Sequence, residues 1–185
     1  MLKSALKAAA VSAAALAGVS AQAALVMTSP ACTASVLTPP YTACGGSFAG
    51  NNMNQQADVL AFISSEWAQT VTFGGSSDDA MNGPFTSNPN TTTGTLTFDT
   101  AMDGPFVLAL KAADQFSLFY FDGSGPAIGA IDYSTLGVSV NPQGMAQGLS
   151  HASIYVGAIP EPETYALMLA GLGAIAWVAR RRRSA

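Results

Sequence analysis

Histidine, cysteine and lysine are the scarce residues of this sequence, and each scarcity closes off a class of function. The 185-residue chain has one histidine, His151, and two cysteines, Cys32 and Cys44. A structural or catalytic metal centre needs three or four imidazole, thiolate or carboxylate ligands, which these residues cannot furnish, so no metal site is expected. Cys-x-x-Cys is absent, which argues against dithiol redox chemistry. Gly-x-Ser-x-Gly is absent too, and no serine stands in an obvious relation to His151, so no catalytic residue is named. His151 lies in an alternating stretch, where a hydrogen-bonding or surface role is the plainer reading than a general base. Between residues 24 and 159 the only cation is Lys111, against nine acids: Asp58, Glu66, Asp78, Asp79, Asp99, Asp103, Asp114, Asp122 and Asp132. That segment carries a net charge near −8, twice the −4 of the whole chain. Such a surface repels phosphate backbones, so nucleic acid is not an expected partner.

What is present is concentrated at the two ends. Residues 1–23 hold Lys3 and Lys7, an apolar run over 8–18, and Ala21-Gln22-Ala23, with small residues at the positions a signal peptidase reads. They predict a helical secretory signal cut before Ala24. Residues 160–185 begin with Pro160-Glu161-Pro162-Glu163, continue as an uncharged apolar run over 164–179, and close with Arg180, Arg181, Arg182 and Arg183. As a helix the run is about 24 Å long, somewhat less than the roughly 30 Å hydrocarbon core. Arginine stems lying along apolar surface and a locally thinned bilayer make up the difference. Four arginines after an apolar helix hold that end in the cytoplasm, and Tyr165 and Trp177 sit where interfacial aromatics belong. Gly171-Leu172-Gly173-Ala174-Ile175-Ala176 matches a dinucleotide-binding pattern on paper, but no strand precedes it and no acid follows it. It reads as helix packing. Two export segments around one stretch place residues 24–159 outside the cytoplasm, in a single domain.

The Pro160-Glu161-Pro162 tripeptide, the following Thr164-Tyr165-Ala166-Leu167-Met168-Leu169-Ala170-Gly171-Leu172-Gly173 and the terminal arginines resemble the PEP-CTERM sorting signal. The resemblance covers the last 25 or so residues and implies recognition by an exosortase, a membrane transpeptidase-like protease of exopolysaccharide-producing Gram-negative bacteria. It implies cleavage at or near Pro160, Glu161 and Pro162, transient anchoring in the inner membrane, and delivery to the cell surface or extracellular space. Lys111-Ala112-Ala113, the hairpin after it and Leu149-Ser150-His151-Ala152-Ser153-Ile154-Tyr155 are similar to passages in exported proteins ending in the same signal. That similarity implies a shared sandwich domain and no activity.

Within the domain, Cys32 and Cys44 enclose Pro39-Pro40-Tyr41, and in an oxidising compartment they predict a disulfide contributing about 3 kcal/mol. Gly45-Gly46 and Gly50-Asn51-Asn52 read as a turn-rich passage. Residues 54–67 place Val59, Leu60, Phe62, Ile63 and Trp67 at three- and four-residue steps without glycine or proline, predicting one amphipathic helix capped by Asn51 or Asn52. Period two then takes over. Residues 70–73 and 95–98 predict short strands, with a mobile loop over 76–94 between them. Residues 106–111 and 116–121 predict a central hairpin, apolar on both faces of its second strand and therefore covered on both sides. Residues 136–140 and 149–156 predict two more strands. The expected fold is mainly β: an antiparallel, jelly-roll-like β-sandwich with one short helix, flanked by the signal helix and a transmembrane helix.

Asp78-Asp79 and the pair Asp99 and Asp103 are adjacent acids in polar loops, read as solvated turns; glycoside hydrolysis would need two acids facing across a cleft. Residues 99–104 offer oxygens that calcium accepts, but the EF-hand spacing is lacking and no cofactor is expected. Lys111 reads as a strand residue reaching a neighbouring aspartate at the surface. A Lys-to-Asn or Lys-to-Asp crosslink is a remote further reading. Two functions remain from different classes. One is a non-catalytic surface or matrix protein associated with biofilm or exopolysaccharide. The other is a carbohydrate-binding module stacking sugars on Tyr120, Tyr133 or Tyr155.

Overall fold

The computed structural model describes residues 25–29, 32 and 37–157, together with 168, 170–172 and 175. The expected signal at 1–23 and the Pro160-Glu161-Pro162 motif lie outside the described residues. So does most of the expected span over 164–179, of which Met168, Ala170, Gly171, Leu172 and Ile175 are helical and exposed. Among the described residues no helix is long and apolar enough to cross a membrane.

The chain order is β1 (Met27–Ser29), β2 (Leu37–Thr38), β3 (Ala43–Ala49), α1 (Gln56–Trp67), β4 (Val71–Ser76), a 3-10 turn (Ala80–Asn82), β5 (Thr93–Met102), β6 (Phe106–Ala112), β7 (Gln115–Phe121), β8 (Ile128–Ser134) and β9 (Leu149–Gly157). The fold is mainly β. One six-stranded sheet runs β1-β3-β7-β6-β9-β4 and a three-stranded sheet runs β2-β8-β5, every pair antiparallel. Three of the pairings nest inside one another: β6 with β7, β5 with β8, β4 with β9. They fall alternately in the larger, smaller and larger sheet.

Alternation along β6 explains the layering. Phe106, Leu108 and Leu110 point one way and join Leu96 and Phe98 of β5, Ile131 and Tyr133 of β8, Phe119 and Ile154 in the core between the sheets. Val107 and Ala109 point the other way and, with Phe116, Leu118 and Tyr155, receive Val59 and Ile63 of α1. The six-stranded sheet is thus apolar on both faces, because a sheet covers one and the helix the other. Each fully buried Leu or Phe here stabilises the fold by roughly 1.5–3 kcal/mol before entropy is counted.

Several expectations are corrected. Gly45 and Gly46 lie in β3, not in a turn. A Cβ on Gly45 would sit 2.7 Å from a Phe62 ring carbon, so the missing side chain lets α1 lie against the sheet. The helix is where periodicity put it, but neither Asn51 nor Asn52 caps it: Gln55 is the N-cap, without a side-chain bond. Asn51 instead accepts the Met53 amide, closing a local turn. β4 runs on through Gly74-Gly75 to Ser76 by way of a register shift. The stretch after it is tied to the sheets by specific contacts. Asp79 accepts the Ser76 amide at 2.7 Å, and Phe85 is fully buried and bridged to Phe98. Residues 136–140 form no strand; the amides of Val138 and Ser139 both turn back to the Thr135 carbonyl. The strand that pairs there is β8, unrecognised because Gly129-Ala130 dilutes its alternation.

Candidate functional site

Two places in the domain gather chemistry. The first is a cleft of about 570 Å³ at one end of the sandwich. Pro39, Pro40 and Tyr41 before β3, Met102 at the end of β5, residues 122–127 between β7 and β8, and residues 128–130 at the start of β8 form its walls, with Phe106 and Phe121 beneath. The two rings stack with centroids 4.6 Å apart. The cleft exists because two loops meet backbone to backbone: Gly123 has φ +69°, and a Cβ on it would come within 2.2 Å of the Gly104 carbonyl carbon. Of its polar groups, the Tyr41 hydroxyl donates to the Cys32 carbonyl at 3.2 Å. The Thr42 hydroxyl oxygen accepts the Asp122 amide at 3.2 Å. Asp122 takes the Ser124 amide at 2.9 Å, and that bond, the largest influence, holds its carboxyl below the usual carboxylate range. Cys32 and Cys44 are joined in a disulfide, with Cα atoms 6.0 Å apart, on the flank of this region.

The same end is where β9 stops. Phe106 pairs with Val156 and Phe121, and the Gly157 amide donates to the Pro105 carbonyl at 3.2 Å. Gly157, the last residue of β9, therefore lies beside the cleft.

The second place is a buried polar network on the helix side of β9. Period two sets His151, Ser153 and Tyr155 on one face, as the sequence indicates, but that face is covered. Asn52, fully buried, meets all three. Its Oδ1 lies 2.9 Å from His151 Nε2, and its Nδ2 lies 3.0 Å from Ser153 Oγ and 3.4 Å from Tyr155 Oη. His151 Nδ1 lies 2.9 Å from Asp78 Oδ2, and Asp78 also accepts from Asn88 Nδ2 at 3.0 Å. Burial, the largest influence, holds the His151 pKa below its usual value, against the raising pull of Asp78 and Asp79 and with Lys111 adding to the lowering. Tyr155 is pushed up to about 12, chiefly by burial. An aspartate–histidine pair of this kind also occurs in nucleophilic catalysis, but here the far imidazole nitrogen meets an amide.

The other expected residues are dispersed. Asp99 lies within β5, which runs to Met102, so residues 99–104 form no single calcium-type loop. Among the described residues no group of three or more His, Cys, Asp or Glu is placed to hold a metal ion. Lys111 is buried and donates to the Ala113 carbonyl, not to an aspartate at the surface. Asp78 and Asp79 each make specific bonds and are not merely solvated. Tyr133 and Tyr155 are buried, with 3 % and 0 % exposure, and Tyr120 stacks on Trp67 at 5.5 Å, so the three tyrosines make no exposed row. The cleft was not foreseen, nor were the parts Asn52 and Asp78 take in the buried network: the sequence offered Asn52 only as a helix cap and Asp78 only as an acid of a solvated turn.

An antiparallel two-sheet domain followed by a separate C-terminal segment is the class of protein defined here. Residues 158–183 match the model of the PEP-CTERM protein-sorting motif. The chain thus carries the signal of an exported, exosortase-processed protein sorted to the cell surface, with exosortase as its processing partner. Comparison with curated proteins and with solved structures finds no match for the chain.

Proposed function

We propose that the domain is a non-catalytic component of the cell surface or extracellular matrix, associated with biofilm or exopolysaccharide, and that its C-terminal segment is consumed in delivering it. On this reading signal peptidase cuts after Ala23, with Ala21 and Ala23 as the recognised small residues. Residues 164–179 cross the inner membrane, Arg180, Arg181, Arg182 and Arg183 hold the end in the cytoplasm, and exosortase cuts at or near Pro160, Glu161 and Pro162. The nested pairing is a jelly-roll-like winding of one long ribbon. One observation carries the reading: the sorting motif begins at residue 158, directly after the last residue of β9, Gly157. The folded sheet ends where the processing signal starts, so cutting in the Pro-Glu-Pro stretch leaves all nine described strands intact.

The absence of catalysis is supported by His151, whose two nitrogens are both engaged away from the cleft. The carbohydrate-binding alternative draws no support from Tyr133 and Tyr155, which are covered. Intact-mass measurement of the secreted form tests the proposal. A product that begins at Ala24 and ends within or just beside residues 160–162 is expected; a secreted product retaining residues 164–183 would overturn it.

A further inference from the structure

We infer that the cleft beside Phe106 and Phe121 is a binding site for a small organic cation with an apolar body, such as an aromatic or aliphatic amine. Its volume of about 570 Å³ falls in the range of small-molecule sites. Its apolar wall is formed by Pro39, Pro40, Met102, Pro126 and Ile128, and faces a more polar side around Thr42, Asp122 and Ser124.

The polar side chains are mostly spent. Tyr41 is committed to Cys32 and Thr42 to the Asp122 amide. That leaves the Asp122 carboxylate, with the Ser124 hydroxyl beside it, as the charge a ligand would meet. Its low pKa keeps it ionised, and among the described residues no Lys, Arg or His side chain pairs with it. A sugar would need several free hydrogen-bonding groups, and an anion would meet both Asp122 and the negative field of the whole domain. One positive donor on an otherwise apolar ligand satisfies the inventory. The surroundings favour the same sign at longer range. The only cation between residues 24 and 159 is Lys111, which is buried and bonded to the Ala113 carbonyl, so no surface cation among the described residues competes for Asp122, and the negative charge of the domain steers cations toward it.

The test is a titration of the full chain, followed by NMR, with protonated phenethylamine, its neutral analogue phenethyl alcohol, the anion phenylacetate and a neutral monosaccharide. Phenethylamine should bind at least tenfold more tightly than the alcohol, with shifts confined to residues 39–42 and 122–130. Phenylacetate and the sugar should not bind, and the amine's advantage should shrink with added salt. In Asp122→Asn the amine should fall to the level of the alcohol, whereas Asp132→Asn, on the exposed side of β8, should leave the tenfold preference in place. Equal binding of amine and alcohol, sugar binding without amine binding, no binding by any probe, or a preference that survives Asp122→Asn would each overturn the inference. If Asp122→Asn does not fold, the location of the shifts in the unaltered protein decides the matter.

Discussion

A buried imidazole between a carboxylate and an amide can satisfy its neighbours in two ways, and His151 illustrates both. With Asn52 Oδ1 facing Nε2 and Asp78 facing Nδ1, both nitrogens must donate, which suits the imidazolium. Rotating the Asn52 amide by half a turn lets its NH₂ donate to a neutral Nε2 while its oxygen accepts from the Ser153 and Tyr155 hydroxyls. Burial favours the neutral ring. We therefore expect nitrogen-15 NMR at neutral pH to show His151 uncharged with its proton on Nδ1; an imidazolium there would refute it. Because the folded pKa is lowered, the His151 contribution to stability is complete above the unfolded value of 6.5 and is lost as pH falls below it. The urea midpoint should drop between about pH 7.5 and pH 5.5, and drop less in His151→Gln. Tyr155 behaves in the opposite sense. Its folded pKa is raised from 10.0 to about 12, so stability is full below pH 10 and about 3 kcal/mol is lost as pH rises through 12. Tyr155→Phe should abolish that alkaline loss at a cost of about 1 kcal/mol near neutrality. The alternation that groups His151, Ser153 and Tyr155 is legible in the sequence. Asn52, 99 residues away from His151, is not, because nothing local says that a polar residue ahead of a helix will turn inward.

At the scale of elements, two turns carry an alanine where the backbone is left-handed: Ala68 at the end of α1, with φ 52°, and Ala113 in the β6–β7 turn, with φ 50°. A Cβ in that region costs about 1 kcal/mol. Ala68→Gly and Ala113→Gly should therefore each raise the unfolding midpoint, together by nearly 2 kcal/mol, since the sites are far apart. Lower midpoints in thermal or urea unfolding would contradict this. Gly45→Ala should do the reverse, forcing Phe62 off β3 at a cost of about 1–3 kcal/mol, with loss of near-ultraviolet signal from the neighbouring aromatics. These positions also show where sequence reading stops. The helix and the central hairpin were legible because Val59, Ile63 and the residues of β6 and β7 repeat with a clear period. β3 was hidden because Gly45 is chosen for contact with a helix ring, which looks the same in sequence as a glycine chosen for a turn. Residues 136–140 alternate like a strand, yet the Thr135 carbonyl captures two successive amides, and the two buried residues, Val138 and Ser139, are neighbours instead of alternating.

At the scale of the whole molecule, the junction between sheet and sorting segment has almost no slack. Gly157 is the last residue of β9, paired with Val71 and bonded to Pro105, and Pro160 follows three residues later. Fully extended, three residues reach only about 10 Å, so a protease acting at residues 160–162 works against the end of the sandwich that carries the cleft. A processing enzyme needs some free chain on each side of its cut, and Ala158 and Ile159 are all that lies between β9 and Pro160. Deleting Ala158 and Ile159 brings Pro160 directly against β9 and should lower the secreted fraction about tenfold, with full-length chain accumulating in the membrane fraction. Inserting six Gly and Ser residues after Gly157 should leave secretion at or above its original level. Urea midpoints of both variants should match the parent, since neither change touches the described strands, and this separates a processing defect from misfolding. Undiminished secretion of the deletion variant would mean that the protease reads the apolar segment and the arginines without needing the free chain before them.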